Sequence, residues 1–368
     1  MEEIIIYGTS TSAYNLFYLL KSFDINPICF VVTKKYAKKN EIEGIPIYQA
    51  DECLFKYVEA LVLMAVLQQD YQEVEKYVKS FGIKKCLPAG LDSDVDMQLR
   101  KAYFRKNYKE KFLELSKLEC NSFLYKDKKS DKTFKVFMVK SHKDKKIVSI
   151  LEKQEEWIIP IQAGASNTSF SLAQIKDNKG KDNLSSRNNN YCELSAAYWI
   201  WKNITFDYIG LCHYRRKFKL SSVAIDAFIR NDYDIITPYP GFYAPNTKSG
   251  YLKMEPDSLF FRRDWEYMMD AIQLLYPEYK DIAIQVERGH YFIHYNMLIA
   301  KKKIYYEWCK FIFSILGYIE KKYYQKGEKR DDRYLGFLGE ILTTIFVFYH
   351  KEYKIVYSDV IFVKGKEN

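Results

Sequence analysis

Short apolar runs alternate with helix-like stretches from the first residues onward, and this alternation restricts the amino-terminal part to a parallel α/β unit. Glu3–Tyr7 reads as a strand and Ser12–Ser22 as a helix, followed by strands at Pro27–Val32 and Ile45–Tyr48. Glu59–Val66 is a buried strand, Tyr71–Phe81 a helix and Ile83–Leu87 a closing strand. Residues 1–91 are therefore expected to form a small Rossmann-like domain.

The turn after its first strand reads Gly8-Thr-Ser-Thr-Ser-Ala13, where a dinucleotide fingerprint would place three glycines. Ser and Thr there are good helix caps, and free amides at a helix start can hold a phosphate. The missing second glycine puts a Cβ where a pyrophosphate needs close backbone approach, which favours a structural or docking role.

Residues 92–132 read as a helical connector ending in the polar run Lys126–Lys132. Phe104, Tyr108, Phe112, Leu115 and Leu118 predict one apolar helical stripe with a lysine-rich opposite face. Such a stripe packs on a neighbouring domain or lies on an anionic membrane. Residues 133–368 form the larger domain. Strands are expected at Phe134–Val139, Trp157–Ile161, Tyr208–Leu211, Asp234–Thr237, Tyr291–Ala300 and Tyr353–Val363, and helices at Leu194–Asn203, Phe261–Leu275, Tyr305–Tyr323 and Tyr334–Tyr349.

The net charge of +10 points to an anionic partner: nucleic acid, anionic lipid or a diphosphate substrate. No helix-turn-helix, zinc-finger spacing or RNA-binding signature accompanies it, which sets nucleic acid aside. The 7 cysteines show no CxxC pair and read as reduced thiols. The start MEEIIIYG does not resemble a signal peptide. No apolar run approaches the roughly 20 residues of a spanning helix. The expectation is a cytoplasmic protein with peripheral contact at the inner face of the cell membrane.

Four of the 5 histidines, His142, His213, His290 and His294, fall at strand ends or loops of the larger domain. Their separations match no metal-ligand spacing. The sharpest local feature is Tyr208–Lys217, an apolar strand ending abruptly in His213-Tyr214-Arg215-Arg216. Ligands of open α/β sheets bind outside the carboxyl ends of strands, and the arginine fork pairs with phosphate oxygens, so two in a row suit a diphosphate. His213 adds a proton-transfer group.

Several ordered motifs carry a resemblance: His142-Lys143, Pro160-Ile-Gln-Ala-Gly-Ala165, Asn190-Tyr-Cys-Glu193, Tyr198-Trp-Ile-Trp-Lys-Asn203, Asp207-Tyr-Ile-Gly210, His213–Arg216, Gly289-His290, Asn296-Met297, Arg333 and Gly336-Phe-Leu-Gly-Glu340. Segment 134–364 resembles the domain of bacterial capsular and exopolysaccharide synthesis proteins regarded as glycosyltransferases. The amino-terminal module is similar to that of sugar acyltransferases. The resemblance implies a GT-A-like α/β domain moving a sugar from a nucleotide-sugar donor to a lipid-linked or oligosaccharide acceptor. Galactofuranosyltransferases among its members make UDP-galactofuranose a possible donor. Capsule, exopolysaccharide or lipopolysaccharide synthesis would be the setting.

Gln162, Gly164, Asn190, Glu193, His213, Tyr214, Arg215, Arg216, Asn296 and Arg333 are the expected donor contacts under this resemblance. Glu193 lies three residues after Asn190, so the pair also fits a helix capping box. Glu340, His213 and His290 are the expected catalytic groups. Glu340 lies in a mostly apolar helix, where desolvation would raise its pKa for work as a base, though a buried salt bridge explains it equally.

GT-A enzymes generally end a strand in a DxD motif that holds a divalent metal. Here the corresponding strand ends in Cys212–Arg216, so arginines are expected to replace Mn2+ or Mg2+ and no cofactor is required. Asp92-Ser-Asp94 looks like a helix cap, and Asp232-Tyr-Asp234 precedes its strand instead of following it. Asp257 and Asp264 fall where the chain departs from the family pattern. The competing reading is a non-catalytic nucleotide-sugar or polysaccharide-binding subunit of a capsule assembly complex. An NAD-type enzyme built on the first module is disfavoured by its degenerate turn.

Overall fold

The computed structural model describes residues 3–33, 40–108, 112–121, 130–143, 155–252 and 261–362. The chain forms two compact α/β units: Met1–Glu110 with Phe242–Lys253, and Lys111–Gly241 with Met254–Asn368.

The first unit is built on a six-stranded sheet in the order Glu41–Ile42, Ile45–Gln49, Cys29–Val32, Ile4–Tyr7, Leu61–Met64, Lys85–Pro88. Only Glu41–Ile42 runs antiparallel. Chain order reverses about the first strand, which is the Rossmann-like pattern. Alternate strand residues feed opposite faces, as the pleat requires. Ile5, Val31 and Met64 join one buried cluster, while Ile6, Phe30 and Leu63 join Leu16 and Phe17 of helix Thr11–Lys21 in the other. Gly8 takes φ +113°, and a Cβ there would stand 3.1 Å from the Ala65 carbonyl oxygen.

The long stripe expected across 104–118 is interrupted. Helix Asp94–Asn107 starts at Ser93, whose hydroxyl accepts from Asp96 N, and ends where Tyr108 leaves helical geometry (φ −140°, ψ 49°). Phe112, Leu115 and Leu118 then belong to strand Leu113–Glu114, helix Leu115–Asn121 and their surroundings in the second unit. Of the first DxD string, Asp92 pairs with the buried Arg100, which also binds Asp96, and Ser93, its middle residue, caps the helix. Much of the polar run Lys126–Lys132 lies outside the described residues.

The second unit carries a mixed sheet in the order Ile175–Lys176, Ile158–Gln162, Phe134–Lys140, Tyr208–His213, Leu298–Lys301, Ile235–Pro238, Ile355–Ser358, Leu113–Glu114. Leu298–Lys301 is antiparallel to both neighbours and every other neighbouring pair along this path is parallel. Arg216–Phe218 folds back on Tyr208–His213 and pairs with Val360–Phe362. Gly210 sits mid-strand, where a Cβ would fall 2.6 Å from Ile299 Cγ1. Helices Lys302–Gln325 and Tyr334–Tyr349 pack together, the latter apolar on nearly every side and correspondingly buried. Among the described residues no helix is long and apolar enough to cross a membrane.

The expected helix Leu194–Asn203 forms, but the continuous start at Asn190 that a capping box would need is broken: Asn188–Tyr191 is a separate short helix and Cys192 follows at φ +51°. One expected strand is also broken at positive-φ residues. Tyr291–Ala300 is strand Tyr291–Phe292, a turn with Tyr295 and Asn296 at φ +75° and +50°, then strand Leu298–Lys301.

Candidate functional site

Three parallel strands of the second unit end side by side, with His213 in register with Val139 and Lys140 in register with Gln162. This carboxyl edge is where open α/β sheets bind ligands. His213 pairs with Arg216 across a tight hairpin, leaving Tyr214 and Arg215 at its tip. The Arg215 guanidinium lies 5.2 Å from the Tyr214 ring centre. That of Arg216 lies 4.3 Å from the Tyr295 ring centre. Among the described residues neither guanidinium has a carboxylate partner.

His213 Nε2 lies 2.8 Å from the Tyr295 carbonyl oxygen. A carbonyl only accepts, so Nε2 carries the proton and Nδ1 is the basic nitrogen of the neutral ring. The Tyr295 amide donates to Glu340 Oε1 at 2.9 Å. Asn296 Nδ2 donates to Glu193 Oε1 at 2.6 Å and to the Gly336 carbonyl at 2.9 Å. Ile293 N donates to Thr344 Oγ1 at 2.9 Å. Residues from three elements, the end of strand Tyr208–His213, the start of helix Leu194–Asn203 and helix Tyr334–Tyr349, thus hold one turn in a backbone conformation that side chains normally avoid.

Eight described non-glycine residues have positive φ, and four of them, Cys192, Tyr295, Asn296 and Arg333, meet in this network. Each costs of order 1–3 kcal/mol, and such residues persist only where the surroundings over-determine them, characteristically at functional sites. Arg333, at φ +69°, precedes helix Tyr334–Tyr349 and its Nε donates to Cys192 Sγ at 3.3 Å. Cys192, then Glu193 and Glu340, hold the Arg333 guanidinium above its ordinary value. Burial, reinforced by Glu193, pushes the Cys192 thiol up to about 12 despite Arg333. Gly336 and Gly339 let the helix come this close: a Cβ on Gly336 would meet Cys192 Sγ at 3.1 Å, and one on Gly339 would meet Asn296 Oδ1 at 2.8 Å.

The capping box expected at Asn190 and Glu193 does not form. Asn190 instead bonds the Arg330 carbonyl and the Asp332 amide, and the Glu193 carboxylate turns to Asn296. Arg330 is buried against Asp264, which also accepts from Tyr323 OH and Phe261 N, so the 330–333 loop is anchored on both sides. Asp257 lies outside the described residues. Gln162 and Asn296 are fully buried; Asn296 is engaged through Nδ2, and Gln162 at both ends of its amide: Gln162 Nε2 donates to the Phe170 carbonyl and Leu172 N donates to Gln162 Oε1, both at 2.8 Å.

Gly164 adopts φ +66°, and a Cβ there would overlap Asn188. Its amide and that of Ala165 donate to Asp177, which also accepts from Ser185 and Ser195 hydroxyls. Asp177 thereby fixes this turn, a role its place in a polar run (Lys176-Asp-Asn-Lys-Gly-Lys) does not announce. His290 is half-buried just before Tyr291, and His294 is buried beside Gly241, where a Cβ would stand 1.9 Å from its Nε2. His142 follows the end of strand Phe134–Lys140.

Neither DxD string fits a metal. Asp232 and Asp234 lie at the amino end of their strand, and each has an oxygen 2.8 Å from Lys301 Nζ. Among the described residues no three His, Cys, Asp or Glu side chains converge as a metal site.

Residues 135–352, more than half of the chain, match the family model described as Domain of unknown function (DUF4422). The chain belongs to the DUF4422 family. Every residue of the network from Gln162 to Glu340 falls inside the DUF4422 region. A solved structure described as the apo form of the WbbM bifunctional glycosyltransferase is similar at TM-score 0.54 and 23% identity. The match covers 63% of this chain and 46% of that one, and it shows that the DUF4422 protein shares that fold. No curated protein matches the chain.

Proposed function

We propose that the DUF4422 region is a glycosyltransferase that takes a sugar from a nucleotide-sugar donor, UDP-linked, and passes it to a lipid-linked or oligosaccharide acceptor. Capsule, exopolysaccharide or lipopolysaccharide synthesis is the setting that suits such a reaction, with UDP-galactofuranose the first donor to test. One observation carries this reading: Arg215 and Arg216 stand without carboxylate partners among the described residues, at the carboxyl edge of the central strand and beside a strained and densely hydrogen-bonded turn.

Guanidinium groups in that position suit the two phosphates of a donor, and Arg333 adds a third cation across the cluster. They would stabilise the charge that grows on the leaving diphosphate, the task a metal performs in other transferases. Glu340, oriented by the Tyr295 amide, is the carboxylate assigned to take the acceptor hydroxyl proton. His213, with Nε2–H fixed on a carbonyl, offers Nδ1 as a second proton acceptor. His290 keeps its assignment as a further catalytic group. Asn296 and Glu193 position the turn.

The test is a thermal-shift panel of UDP-, GDP-, CMP- and dTDP-sugars, followed by transfer assays with and without EDTA. Stabilisation by one nucleotide class, lost in Arg215→Ala/Arg216→Ala, is the expected result. No response to any nucleotide sugar would sink the reading, and strict dependence on Mn2+ or Mg2+ would remove the arginines from their proposed role.

A further inference from the structure

Gln162 is fully buried, yet it lies one strand from Lys140 and one from Lys176, in register with both. Register partners in a sheet share a face, so its side chain rises between two lysines. There it holds the backbone of the 165–174 loop at two points, the Phe170 carbonyl and the Leu172 amide. A third bond, from Phe170 N to Thr168 Oγ1, closes the turn. The loop so braced presents Phe170 at 70% exposure and Leu172 at 38%. A buried amide with both ends bonded to a loop that shows two apolar side chains to solvent indicates a built prong.

Its charge surroundings are one-sided. From Ala163 to Lys181 the chain has cations at Lys176, Lys179 and Lys181 and a single acid, Asp177. Asp177 is fully buried and accepts four internal hydrogen bonds. What the segment shows to solvent is therefore positive. Burial holds the Lys140 ammonium below its ordinary value, with no carboxylate acting against that shift. The nearest exposed acid along the chain, Asp182, accepts from Tyr198 OH and lies 3.6 Å from Lys202.

We infer that the Phe170–Leu172 loop is a membrane seat: it inserts Phe170 and Leu172 among the acyl chains of an anionic bilayer while Lys140, Lys176, Lys179 and Lys181 meet the headgroups. Aromatic and aliphatic side chains ringed by lysines are the composition that binds an anionic interface, and the charge complementarity selects a lipid surface over a neutral glycan. Gln162, which braces the prong from below, lies two strands from the strand of His213, on the order of 10 Å at the usual strand spacing. The inference deepens the proposed transferase reading, since a lipid-linked acceptor would then arrive next to the donor arginines. Vesicle binding itself does not depend on that reading.

The experiment is co-sedimentation of the full chain with phosphatidylcholine vesicles, with and without phosphatidylglycerol. The wild-type protein is expected to partition onto the anionic vesicles only. Phe170→Ser/Leu172→Ser should reduce partitioning roughly tenfold or more, the size expected for withdrawing such side chains from an apolar phase. Lys176→Glu/Lys179→Glu should reduce it by at least about fivefold per position. Both variants should keep the wild-type melting temperature and nucleotide response, so failure here is separable from failure of the transferase reading. Equal binding to both vesicle types, or an apolar variant that binds like wild type, overturns the inference. So does an apolar variant that binds vesicles normally but loses transfer to a soluble acceptor, because Phe170 would then be a sugar platform.

Discussion

Glu193 Oε1 lies 3.9 Å from His213 Nε2, although one residue opens a helix and the other closes a strand. The histidine nitrogen is already bonded to Tyr295 O, so the carboxylate is not its hydrogen-bond partner. Glu193 instead takes the amide of the buried Asn296, and its charge helps hold Arg333 protonated. Two side chains that never touch closely thus grip successive residues of the same left-handed turn.

Removing one grip should loosen the turn. Glu193→Ala leaves the buried Asn296 amide with the Gly336 carbonyl alone, at a cost of about 1–3 kcal/mol. Glu193→Gln keeps an oxygen for Asn296 and should recover most of that loss. Denaturant midpoints of the two variants check this; an alanine variant as stable as the parent would show that the bond contributes nothing.

Arg333 separates strain from function. Glycine adopts φ +69° without the steric cost an arginine bears, so Arg333→Gly should be as stable as the parent or more stable by up to about 1 kcal/mol. Nucleotide-sugar affinity should fall roughly tenfold or more with the lost cation. A markedly lower melting temperature would mean that Arg333 is held for packing.

The sequence showed the sheet frameworks and the hairpin arginines because those depend on local patterns: apolar runs, turn residues and a basic cluster after a strand. It did not show Tyr295. An apolar stretch such as Tyr291–Ala300 satisfies strand periodicity, and only partners 45 and more positions away (Glu340 and His213) force it into a turn. Glu193 misled for the opposite reason. Its spacing from Asn190 matches a local cap, but the left-handed Cys192 breaks the helix between them and sends each side chain to a distant partner. Asp177 was illegible because burial, which makes it a clamp, has no signature in a polar loop.

Stability should carry a pH signature at Asp207. Its carboxylate accepts from both Thr133 Oγ1 and Thr133 N, tying the starts of two central strands, and these bonds hold it below the usual carboxylate range. A depressed folded-state pKa contributes stability that is complete above the unfolded value of about 3.9 and lost as pH falls through the folded value. Because the site is exposed, Asp207→Asn should cost no more than about 1 kcal/mol at pH 7. Melting curves of variant and parent should converge in acid below the usual carboxylate range. A gap that persists there would assign the effect to shape instead of charge.

Arg216 offers the sharpest test of the diphosphate site. Its guanidinium lies 4.3 Å from the Tyr295 ring centre and 5.8 Å from that of Phe362, so the group is held between two rings before any ligand arrives. Lysine keeps the charge but lacks the flat fork that both stacks on a ring and pairs two oxygens. If the arginine is pre-aligned for a diphosphate, Arg216→Lys should weaken nucleoside diphosphate binding by roughly tenfold or more, the loss of one charge-assisted bond and a ring contact. Arg215 stands at the hairpin tip over a ring 5.2 Å away, and Arg215→Lys should cost less. Calorimetric titration with UDP across a salt series measures both. Equal losses in the two variants would reduce the pair to a diffuse positive patch, whereas a larger loss at Arg216 that persists in high salt fits a short-range, oriented contact.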